Sequence, residues 1–115
     1  MERFTPPGDA APLGPLGVIL IRLSLEEGIA MSDLLSTRRA FFRHRAAAAW
    51  AARHAHGLSF PAIARELGGR DHTTAWHAFW RAEQLRADDA EFRVLTDRLL
   101  ADARAAGTKA RGNFQ

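Results

Sequence analysis

A chain of 115 residues is one domain's worth of polypeptide, enough to bury a small core and too short for a nucleotide-hydrolysing domain beside a second module. Cysteine is absent, which excludes a disulfide framework and a thiolate metal site, and the Ala- and Arg-rich composition suits a soluble helical protein. The formal charge of +3 is unevenly spread: residues 1–36 are acidic by 3, whereas residues 37–75 reach +5 through seven arginines set against Glu66 and Asp71. A basic centre between acidic and neutral flanks points to a polyanion-binding face, with a solvated arginine-rich surface as the plainer alternative.

Thr5-Pro6-Pro7-Gly8, followed by Pro12, Gly14, Pro15 and Gly17, predicts a flexible leader over residues 1–17 that does not pack. From Val18 to Glu27 the apolar residues follow a helix-compatible pattern that Gly28 ends. The run Val18-Ile19-Leu20-Ile21 is broken by Arg22, far short of the ~20 residues that span a bilayer, and Glu2 and Asp9 argue against a secretory signal. A cytoplasmic, nucleoid-associated protein without a membrane role is therefore expected. Ile19, Ile21, Leu23 and Leu25 either pack onto the domain, which is favoured, or dock a partner helix.

A short turn of helix is expected around Ser32 to Leu35, with Arg38 and Arg39 in the connection that follows. Phe42 to His56 is alanine-rich and predicts the longest early helix, with Phe42, Ala46, Ala49, Trp50 and Arg53 on one side and Gly57 as its stop. Ser59 is a good N-cap for a short helix in which Pro61 sits in the first turn and Phe60, Ile63, Ala64 and Leu67 form a buried stripe. Gly68-Gly69 ends that helix, Asp71 caps the next, and a last helix starting near Asp88 or Asp89 buries Phe92, Leu95 and Leu99. The fold class is all-α: five to six helices around a helix-turn-helix over residues 18–106, then a flexible tail over 107–115.

On a helical wheel begun at Arg70, the side chains of Arg70, Thr74, His77 and Arg81 form one polar stripe, with Ala75, Trp76 and Phe79 opposite. Arg suits guanine or phosphate, Thr a thymine methyl or phosphate, and His can donate, so the stripe fits a groove-reading helix. The same wheel turns His72 towards the core and leaves only its place at the helix tip to bring it to DNA. Asp71 can cap the helix, accept from cytosine N4, or do both. Trp50, Trp76 and Trp80 are expected in the core, Trp80 between the two faces; a stacking platform for single strands is the alternative.

Catalysis and metal binding find little support. His72 and His77 are five apart, off the i, i+4 geometry of a helical metal pair, and no His-Glu-x-x-His pattern occurs. Ser59 has no recognisable nucleophile motif, and Asp88, Asp89 and Glu91 read as helix-start charges. No enzyme activity, cofactor, metal or small-molecule substrate is expected.

Asp33-Leu34-Leu35-Ser36-Thr37-Arg38-Arg39, Ser59-Phe60-Pro61-Ala62-Ile63-Ala64, Gly68-Gly69-Arg70-Asp71-His72-Thr73-Thr74 and His77-Ala78 together resemble the C-terminal DNA-binding domain (domain IV) of the bacterial replication initiator DnaA. The resemblance covers roughly residues 18 to 86, and the run from Gly68 to Thr74 is the specific one. It implies a helix-turn-helix docked in the major groove of short asymmetric DnaA boxes while a basic loop reaches the adjacent minor groove. On that resemblance Arg39, supported by Arg38, is the minor-groove arginine; Arg45 and Arg53 are basic positions near the DNA. Asp71, His72, Thr73 and Thr74 resemble the major-groove readers, His77 a backbone contact, and Pro61 also matches. Ala46 and Thr37 depart from the family's usual Gln and Lys, and the connection after Arg39 is about two residues shorter. No Gly-x-x-x-x-Gly-Lys-Ser/Thr loop is present to cradle ATP phosphates.

The leading expectation is a sequence-specific binder of double-stranded DNA acting as a transcriptional regulator of phage-like or mobile-element genes, with RNA polymerase or replication proteins as candidate protein partners. A replication accessory at origin boxes and a protein-interaction module without DNA readout are the alternatives.

Overall fold

The computed structural model describes residues 14–112, with side chains described through residue 106. Among the described residues six α-helices follow one another: α1 (Pro15–Glu27), α2 (Met31–Leu34), α3 (Phe42–His56), α4 (Phe60–Glu66), α5 (His72–Asp88) and α6 (Ala90–Gly112). A 3-10 turn, Arg39–Phe41, leads into α3, and the described residues contain no strand. The expected tail does not begin at residue 107, because the backbone of α6 stays helical to Gly112.

Helix α3 is the hub on which α1, α5 and α6 all pack. Its residues from Ala46 to Ala52 are almost wholly buried, not on one side only but all round the helix. Alanine is what that position demands, since a methyl on every face lets three neighbours approach closely while keeping strong helix propensity. The larger side chains come from the helices around it: Leu16, Leu20 and Leu23 of α1, Ile63 of α4, Phe79 of α5, and Phe92 and Leu99 of α6.

The leader is shorter than the breaker density suggests. Helix α1 starts at Pro15, with Gly14 as N-cap, and Leu16 is fully buried. Proline is tolerated at the first helical position, where its missing N–H would have had no partner. The buried stripe of α1 is therefore Leu16, Ile19, Leu20 and Leu23, while Leu25 is 79% exposed. Residues 1–13 of the expected leader lie outside the described residues.

One long-range contact fastens this helix. The Glu66 carboxylate at the end of α4 accepts a hydrogen bond from the Gly17 amide at 2.9 Å, satisfying an orphan N–H of the first turn of α1 and placing negative charge at its positive end. A side chain at position 14 would meet the Glu66 carboxyl group and push it aside, at the cost of its hydrogen bond to the Gly17 amide. Replacing Glu66 by Ala is expected to lower stability by about 1–2 kcal/mol. Glu66→Gln, which keeps an acceptor oxygen, should lose less; the midpoint of chemical denaturation measures both.

Candidate nucleic-acid interface

The helix-turn-helix is built from α4 and α5. Ser59 Oγ accepts from the Ala62 amide at 3.2 Å and starts α4, in whose first turn Pro61 lies exposed. The corner is made by Gly68 and Gly69, at φ of +106° and +78°, a region that L side chains rarely enter. The chain then re-crosses α4 through a hydrogen bond from the Arg70 amide to the Ala64 carbonyl, 3.0 Å. Helix α5 begins where Asp71 Oδ1 accepts from the Thr74 amide at 3.0 Å.

Ala75, Ala78, Phe79 and Ala82 are the buried stripe of α5. Asp71, His72, Thr73, Thr74, His77 and Arg81 are all exposed. His72 thus faces solvent instead of the core. The expected core side centres on Trp76 and Phe79, but the stripe that packs is Ala75, Ala78, Phe79 and Ala82, which turns His72 and Trp76 away from the core. Trp76 and Trp80 are 45% and 48% exposed, and of the three tryptophans only Trp50 lies in the core.

Three of the arginines expected at DNA serve the scaffold instead. Arg45 is 7% exposed, and its Nη2 donates to the Arg38 carbonyl at 2.9 Å while Nη1 reaches the Leu34 carbonyl at 3.4 Å. Arg70 Nη2 donates to the carbonyls of Leu35 at 2.7 Å and Ser36 at 2.5 Å, and its Nε donates to the Leu67 carbonyl at 3.0 Å. Arg53 donates to the Leu58 carbonyl at 2.7 Å, and its guanidinium lies 4.1 Å from the Phe60 ring centre, tying the end of α3 to the start of α4. The physical reason is common to all three: a guanidinium on a buried flank has several donors to satisfy and finds them in the unpaired carbonyls of helix ends and loops.

What Arg45 and Arg70 hold is the segment from Leu34 to Arg38, which carries the predicted minor-groove residues. Ser36 Oγ further donates to the Asp33 carbonyl at 2.6 Å, tightening the exit from α2. Arg38 and Arg39 emerge exposed from this fixed loop. Arg38 leans towards Asp33, 3.6 Å away, whereas Arg39 makes no ion pair among the described residues. Burial, and next the neighbouring Arg70 charge, push the Arg45 pKa below its ordinary value. The pair is satisfied by carbonyls and not by carboxylates, so its positive charge is not cancelled locally and adds to the field above the loop.

Arg39, His77 and Arg81 line one open groove of about 780 Å³, in which the basic loop and the start of α3 form one wall and α5 the other. Phe42, Arg43, Trp76 and Trp80 also line it, as does Arg45 from α3. The sequence reading puts Trp76 and Trp80 in the core, with a stacking platform as the alternative, and does not single out Arg43; the i, i+4 spacing of the two tryptophans is the available signal. Pro61, His72, Thr73 and Thr74 lie outside the groove lining, Pro61 at the start of α4 and the others at the start of α5.

A capped helix presenting exposed polar side chains from a glycine corner, beside a loop bearing exposed arginines, defines a helix-turn-helix domain of the nucleic-acid-binding kind. Residues 19–81 match the family described as the bacterial dnaA protein helix-turn-helix, and the chain belongs to that family. It is similar to the chromosomal replication initiator protein DnaA of Caulobacter sp. strain K31, 53% identical over 64 residues that make up 54% of this chain and 13% of that protein. The DnaA protein of Caulobacter vibrioides is 51% identical over 65 residues, 55% of this chain and 13% of the relative. That of Roseobacter denitrificans is 33% identical over 72 residues, 61% and 16% respectively. The chain thus spans only a small fraction of the length of these relatives. No solved structure matches it.

Two outcomes follow from the geometry. Arg45→Ala is expected to destabilise the domain by about 2–3 kcal/mol, because carbonyls lose charged donors in a buried setting. Arg39→Ala should leave the thermal midpoint unchanged, so thermal melts of the two variants separate support from surface. The second outcome concerns acid. The hydrogen bond from the Thr74 amide, aided by the Thr74 hydroxyl and the Thr73 amide, holds the Asp71 carboxyl below its ordinary value of 3.8. A folded-state pKa below the unfolded one stabilises the helix start above that ordinary value and loses the contribution as pH falls through the folded value. Asp89, held low first by the Phe92 amide and then by Arg43, behaves the same way at the start of α6. Amide exchange at Thr74 should therefore accelerate in acid relative to the helix centre, and Asp71→Asn should flatten that dependence.

Proposed function

We propose that this protein binds double-stranded DNA in a sequence-specific manner at DnaA-box-like sites and acts by occupying them. The observation that carries the reading is the exposed start of α5, His72 to Thr74 with His77 behind, launched beside a loop whose arginines are held outward. Asp71, His72, Thr73 and Thr74 are assigned to base edges in the major groove, with Asp71 also capping the helix, and Arg39 to the minor groove. His77, Arg81, Arg38 and Pro61 lie where the phosphate backbone would be gripped.

Occupancy is the mode the chain itself supports, since its 115 residues contain no phosphate-cradling Gly-Lys loop with which to drive an ATP-dependent reaction. At promoters, occupancy makes the protein a transcriptional regulator. A second reading, an accessory to replication that competes for origin boxes, is favoured by the 51–53% identity of the reader to two initiator proteins. Genome-wide mapping of bound sites separates them, with promoters marking the first and the origin the second.

Selection of bound duplexes from a random pool is expected to return a short asymmetric site. On that site Thr74→Ala and His72→Ala should each cost about 1–3 kcal/mol, with little effect on random DNA, because a base contact discriminates while a phosphate contact does not. Equal losses on selected and random duplexes would remove the base-reading assignment. Equal affinity of the wild type and Arg39→Ala/Thr74→Ala for every duplex would remove DNA readout altogether.

A further inference from the structure

Trp76 and Trp80 have no task in the duplex reading, yet each leaves nearly half of its surface in water. They stand one helical turn apart on α5 with ring centres 6.3 Å apart and planes at 59°, so they form an angled cradle and do not cover each other's faces. Across the groove stand Arg39 and Arg43, and Arg81 follows Trp80 along the same wall. Among the described residues no carboxylate lines this space. Arg81 donates to the neutral Gln84, at 3.1 Å, and Arg43 shares its charge with Asp89, at 2.9 Å. The volume of about 780 Å³ falls among sites that hold organic ligands, commonly ~300–1,000 Å³.

We propose that this groove is a second nucleic-acid site, one that takes an unpaired strand. Bases stack on Trp76 and Trp80 while successive phosphates run past Arg39, Arg43 and Arg81. Stacking on Trp76 and Trp80 requires an unpaired base, because a paired base hides both π-faces in its own stack; Arg39 and Arg81 also serve the duplex reading, so strand and duplex compete for this groove. An acidic peptide would answer the arginines, but a strand supplies anion and flat ring at every repeat, matching a groove that has both guanidiniums and indoles in its lining. The inference goes beyond the duplex reading: the base-edge readers Asp71 to Thr74 take no part in it.

Titration of the full chain with a short oligothymidylate, which cannot pair with itself, tests the proposal through tryptophan fluorescence. Trp50, 4% exposed, supplies an unquenched background, so quenching reports on Trp76 and Trp80. Wild-type protein is expected to bind with quenching and with an affinity that falls as salt rises. Trp76→Ala and Trp80→Ala should each weaken binding about tenfold. Thr74→Ala, which disables the duplex reader, should bind the oligonucleotide like wild type, so a failure of the duplex assignment leaves this result standing. Absence of quenching in the wild type overturns the proposal, as does unchanged affinity in a folded Trp76→Ala/Trp80→Ala protein. Quenching by a phenylalanine-containing acidic peptide but not by the oligonucleotide also overturns it, and assigns the groove to a protein partner.

Discussion

The whole interface depends on how two positive charges, Arg45 buried and Arg70 half-buried, are held without a carboxylate to meet them. Arg45 from α3 and Arg70 from the helix-turn-helix corner converge on the carbonyls of residues 34, 35, 36 and 38. These oxygens belong to the end of a four-residue helix and the loop after it; that of Arg38 also accepts from the Phe41 amide at 3.3 Å, while the others lie at or past the end of the helix. The arrangement solves two problems together, since the carbonyls gain donors and the guanidiniums gain acceptors. It also locks the basic loop to the corner of the reading unit, so that arginine side chains on one element and polar side chains on the other keep a fixed separation.

The same economy runs through the core. An alanine helix at the centre permits close packing of three neighbours, and the glycine corner permits α5 to leave α4 abruptly. Capping then sets where each helix begins. Asp71 starts α5 and Asp89 starts α6, the latter also meeting Arg43 across 2.9 Å. Because Asp71 both begins the reading helix and stands exposed beside His72 and Thr73, the residue that fixes the register of the helix is itself part of the surface offered to a ligand.

On one face of α5, then, lie two chemistries. Its leading turn offers small polar groups suited to the edges of paired bases. One turn further on, Trp76 and Trp80 offer flat apolar faces among arginines. Membership of the bacterial dnaA protein helix-turn-helix family accounts for the first set. The second lies at positions 76 and 80, within the same matched residues 19–81, and lines the groove between loop and helix.

Much of this was legible in the residues themselves. Helix periodicity, the Ser59 and Asp71 caps, and the stops at Gly28, Gly57 and Gly68-Gly69 are local signals, and local backbone energetics decide them. The signature run from Gly68 to Thr74 marked the reading helix for the same reason. The fate of each arginine was not legible, because Arg39 and Arg45 differ in nothing that sequence displays: one stands in solvent and the other under a loop only after α2, α3 and the corner have come together. Likewise the exposure of Trp76 depends on where α5 starts and which stripe α3 covers. Composition and spacing determine what a segment can become, whereas burial and the supply of unpaired carbonyls, which exist only in the assembled fold, decide what each charged or aromatic side chain is for.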